Sequence, residues 1–77
     1  MNDLKELNKL VGEEFNADDV ICAMTELDEP VIVDEVEGYT SNFEGYGECK
    51  LYNAYYDEAG SDMYEIWVND NKIVYVN

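Results

Sequence analysis

The chain's one proline, Pro30, divides it into two textures. Upstream, apolar residues recur at helical spacing; downstream, they alternate with polar ones as strands require. Asp3 with Glu6 makes a capping-box pattern, and Leu4, Leu7, Val11 and Phe15 follow with Leu10 beside them. This predicts a first helix over residues 3–15, weakened near its end by Gly12 and bounded by Asn16. Asn16 with Asp19 predicts the cap of a second helix, whose apolar stripe is Val20, Ala23, Met24 and Leu27. Asp18 and Asp19 fall in its first turn, at the positive end of the helix dipole. Cys22 lies off that stripe, with no cation near it in sequence to stabilise a thiolate.

After Pro30 the pattern is β. "PVIVDEVE" reads as a first strand, its proline suited to an edge or a strand start. "TSNFEGYG" reads as a loop. "ECKLYNAYYD" is a second strand, with Cys49, Leu51, Asn53 and Tyr55 on one face and Lys50, Tyr52, Ala54 and Tyr56 on the other. "EAGS" turns the chain into "DMYEIWVN", and "NDNK" makes a tight hairpin into "KIVYVN". The expected fold is α+β, one domain over residues 1–77. Two N-terminal helices pack on one face of a three- to four-stranded antiparallel sheet, in the order ααββββ, and the other face is free to be solvated.

Charge sits uneasily with this plan. Nineteen acids against four bases leave −15 on 77 residues, which opposes compaction. Leu, Ile, Val and Phe nonetheless make up 19 of the 77 residues, above the roughly 20 % below which highly charged chains stay disordered. Seven tyrosines and Trp67 add large amphipathic side chains. A folded domain whose stability depends on salt is expected.

Most chemistry is disfavoured by what is missing. Without histidine the usual general base and the commonest transition-metal ligand are both lost. Ser41, Ser61, Cys22 and Cys49 have no base partner, for which Lys5, Lys9, Lys50 and Lys72 are poor substitutes. "DEAGSD" sets Asp57, Glu58 and Asp62 around a glycine, but not in a calcium-loop pattern. Carboxylate pairs suited to glycoside hydrolysis arise by number alone, and so short a chain has little to build a cleft from. No glycine-rich phosphate loop is present. Nucleic acid and anionic membranes should both repel the chain. The two cysteines form no C-x-x-C and read as reduced thiols, and no signal peptide or membrane-spanning run is visible. The expectation is a non-enzymatic, cytoplasmic protein without a cofactor or metal, monomeric or dimeric.

What remains is where the charge lies. Residues 10 to 49 hold twelve carboxylates and no base, whereas a surface tuned for solubility alone intersperses both signs. The candidate partner-binding residues are Asp28, Glu29, Asp34, Glu35, Glu37, Glu44 and Glu48, with Asp57, Glu58 and Asp62 as a second patch. Tyr39 and Tyr46 are the candidate aromatic contacts. Same-face carboxylates on a strand recur at about 6.8 Å, near every second phosphate of a DNA strand at about 3.4 Å per charge.

In size, acidity and α+β pattern the chain resembles the phage-encoded DNA-mimic inhibitors, the anti-CRISPR and anti-restriction proteins. That resemblance implies a basic nucleic-acid-binding partner, a Cas effector or other nuclease, whose DNA channel the carboxylates occlude in the host cytoplasm. The alternative is an immunity protein or antitoxin that plugs the basic active site of a cognate nuclease toxin. A third reading is an accessory domain whose acidity only keeps it soluble.

Overall fold

The computed structural model describes residues 3–25, 27–42, 45, 47–58 and 63–77, with residues 37–42 described by their backbone alone. The elements are α1 (Asp3–Asn8), α2 (Ala17–Ala23), β1 (Val31–Asn42), β2 (Glu48–Tyr56), β3 (Met63–Asn69) and β4 (Lys72–Val76). All neighbouring strands are antiparallel, in the spatial order β1-β2-β3-β4.

The expected α+β architecture, with a layer of two substantial helices, is corrected. The helices have six and seven residues, between one and two turns each. The first stops at Asn8 because the segment after it is drawn into the sheet. Gly12, at φ 94°, donates its N–H to the Ile73 carbonyl at 2.7 Å. Ile73 returns its N–H to Glu13 at 3.0 Å, and Phe15 donates to Asn71 at 2.7 Å. Glu14 bridges Lys72. Residues 12–15 thus cover the outer edge of β4, and an apolar pattern that suited a helix serves an extended segment instead. Asn16 does cap α2, its side chain accepting the Asp18 N–H at 2.8 Å. The helix ends at Ala23, since Met24 turns extended at ψ 93°, and Leu27 lies outside it, 41 % exposed.

The sheet organises the core. On one face Ala54, Tyr56, Ile66, Val68, Ile73 and Val76 pack against Leu7 of α1 and Val20 of α2, with Met24 beyond it. The opposite face, left free to be solvated in the expected fold, holds a second cluster: Cys49, Leu51 and Trp67, flanked by Val36, Val74 and Tyr75. The alternation along β2 is the physical reason, because Cys49 and Leu51 have the parity opposite to Ala54 and Tyr56.

β1 is longer than its sequence pattern. Thr40, Ser41 and Asn42, expected in a loop, pair with Lys50, Cys49 and Glu48. Between Glu35↔Tyr52 and Thr40↔Lys50 the register slips, so residues 36–39 stand against Leu51 alone. That is a large, irregular bulge on an edge strand. The β3–β4 hairpin turns at Asp70 (φ 51°) and Asn71 (φ 65°), both in the left-handed region that a two-residue type I′ turn requires.

Candidate functional site

Register decides where the candidate carboxylates stand. The Asp57 N–H donates to the Pro30 carbonyl at 2.9 Å, which brings the segment of Asp28 and Glu29 alongside Asp57 and Glu58. The two patches proposed from sequence therefore meet at one end of the β1–β2 ladder. Asp28, Asp57 and Glu58 are exposed there, and Glu29 is half-buried.

Midway along the ladder are Asp34 and Glu35, both exposed. Each is held by a tyrosine of the neighbouring strand. The Tyr55 hydroxyl donates to Asp34 at 2.9 Å, and the Tyr52 hydroxyl donates to Glu35 at 3.4 Å. Being consecutive on a strand, the two carboxylates project to opposite faces. Tyr52 is itself braced by Phe15, ring on ring at 4.2 Å with 25° between planes. Burial, and then the charge of Glu35, push the Tyr52 hydroxyl above the ordinary tyrosine value. The hydrogen bond to Asp34 chiefly does the same for Tyr55. Both phenols therefore stay protonated and able to donate.

Glu48, exposed, sits at the far end, where β2 begins opposite Asn42. The Asn69 side chain donates to its carbonyl at 3.0 Å and fixes the strand entry. Gly47 is required beside it: its φ is 87°, and an added Cβ would lie 3.0 Å from the same Asn69 amide nitrogen. Glu48 lines a shallow cavity of about 260 Å³ with Lys50, Tyr52, Val68, Asp70 and Asn71.

Along the nine-residue β2 the carboxylates thus occupy three stations, two ends and a middle, about 14 Å apart at about 3.4 Å per residue. That spacing is nearer every fourth phosphate of a DNA strand than every second. Glu37 and Tyr39 lie in the β1 bulge, where only the backbone is described, while Glu44, Tyr46 and Asp62 lie outside the described residues. Sequence reasoning did not single out Asp70, carried to the Glu48 end by the hairpin. It also missed the pairing of Tyr52 and Tyr55 with Glu35 and Asp34, a cross-strand relation that only the register supplies.

Among the described residues, no group of three or more acids and thiols converges as a metal site would. None of their helices is long and apolar enough to cross a membrane. The two thiols are unpaired, Cys22 exposed and Cys49 buried. No family model, curated protein or solved structure matches the chain.

Proposed function

We propose that this chain is a non-enzymatic, cytoplasmic inhibitor that imitates nucleic acid and occludes the basic DNA-binding channel of a nuclease complex, with a CRISPR–Cas effector as first candidate. One observation carries the reading. Four bases cannot neutralise nineteen acids, and two of those acids, Asp34 and Glu35, stand exposed on a folded strand, oriented by tyrosine hydroxyls. A disordered tail could be as acidic but would lose entropy on ordering at a partner. Here two carboxylates, Asp34 and Glu35, are held in place beforehand, which favours a tight fit to fixed arginines and lysines. Association with such a partner is steered by the field and weakens as salt rises.

Competition tests it. Inhibitor bound to the effector should be displaced by excess duplex carrying the effector's recognition site, and the triple reversal Asp34→Lys, Glu35→Lys, Glu48→Lys should abolish binding while the fold persists. Failure of the duplex to compete at low salt would mean that the protein acts away from the DNA channel. Rescue of cells from a nuclease toxin, with no effect on CRISPR interference, would transfer the same electrostatics to an immunity protein.

A further inference from the structure

The two edges of the sheet are treated differently. β4 is covered by residues 12–15 through the Gly12–Ile73, Ile73–Glu13 and Phe15–Asn71 hydrogen bonds. β1 ends the strand order on the other side, and among the described residues no strand or bridge pairs with its outer edge. Over Val31–Glu35 the ladder to β2 is regular, so alternate N–H and C=O groups of β1 point outward. The bulge at residues 36–39 then breaks the straight edge. Among the described residues, a short, regular edge without a strand partner remains.

Its charge selects what could occupy it. A second copy pairing through the same edge would bring Asp34 and Glu35 against like charges, on chains that each carry −15. A basic strand would meet opposite charge on both faces. Because Asp34 and Glu35 project to opposite faces, the cations that answer them must also be consecutive, since neighbouring strand residues alternate. Val31, Ile32 and Val33 ask for apolar or β-branched neighbours beside that dibasic step. We infer that the Val31–Glu35 edge of β1 takes up an extended segment of the partner as an added strand, with two consecutive basic residues set against Asp34 and Glu35. This rests on the reading of a basic partner and adds how part of that partner is engaged: by strand addition as well as by charge.

Synthetic peptides separate the two. The intact protein is titrated at low salt with acetyl-Ser-Arg-Arg-Val-Thr-Val-Thr-amide. A second peptide of the same composition carries its arginines on one face (Arg-Val-Arg), and a third is N-methylated at alternate amides of the dibasic parent. The parent should bind at least ten-fold more tightly than either control, and amide exchange should slow at alternate residues of Val31–Glu35. Equal binding by the N-methylated peptide would reduce the contact to charge alone and overturn the inference. So would the absence of binding, or a concentration-dependent dimer that protects the same amides without peptide. These failures leave the mimicry reading to the duplex competition, which does not involve the peptides.

Discussion

Tyr56, on β2, donates its hydroxyl to the carboxyl group of Asp3, 53 residues upstream in α1. Asp3 is fully buried and also accepts the Thr25 N–H at 3.1 Å, while the Tyr56 oxygen accepts the Leu27 N–H at 3.3 Å. One buried polar group therefore ties α1, the segment after α2 and the sheet together. Tyr56→Phe removes a donor from a buried acceptor and an acceptor from Leu27. The expected cost is about 1–3 kcal/mol, a fall in Tm of roughly 4–8 °C per kcal/mol for a domain of this size. Urea unfolding followed by Trp67 fluorescence measures it, and a change below about 0.5 kcal/mol would rank Tyr56 with ordinary surface positions.

Tyr52 and Tyr55 should titrate later than free tyrosine. Their folded pKa values are raised, so the stability each contributes is complete below the unfolded value of about 10 and is lost as pH rises through the folded value. Ultraviolet titration of phenolate should show both as late components. Asp34→Asn should bring Tyr55 back toward its ordinary value, and Glu35→Gln should do so in part for Tyr52, whose larger cause is burial. A Tyr55 titration indifferent to Asp34→Asn would disprove that hydrogen bond in solution.

Added salt should stabilise the fold. With −15 on 77 residues, self-repulsion is screened as the Debye length falls from about 30 Å at 0.01 M to about 10 Å at 0.1 M. Tm is expected to climb by several degrees over this range. A flat or falling Tm would mean that attractive pairs outweigh the repulsion.

The β3–β4 turn offers a test of backbone conformation. Asn71 sits at φ 65°, which asparagine and glycine tolerate and β-branched residues do not. Asn71→Val should cost about 1–2 kcal/mol. Asn71→Gly should be nearly neutral, the better turn residue offsetting the lost contact to Glu14. Equal losses in the two variants would place the role of Asn71 in its side chain.

The strands were legible because alternation in a sheet is a local property. The two-faced reading of residues 48–56 and the tight turn at 69–72 needed only neighbouring residues. The helix over residues 3–15 failed because Leu7, Val11 and Phe15 fit helical spacing, while the competitor for their backbone, β4, lies far along the chain. The second apolar cluster failed for a similar reason. Cys49 and Leu51 come from β2 and Trp67 from β3, and nothing local says that their shared face is covered. The acidic candidates were legible as residues but not as an arrangement, since their grouping depends on the β1–β2 register and its bulge.

The segment that seals β4 carries a consequence for how the chain is made. Asn71 follows Glu14 by 57 residues, so at about 5–20 residues per second the strand reaches its partner some 3–11 seconds after it. During that interval Leu7, Leu10 and Phe15 lack the surface they are built to rest on. Folding is therefore deferred until nearly all of these residues have been translated. Through that delay, mutual repulsion between nascent copies guards the exposed apolar residues against clumping.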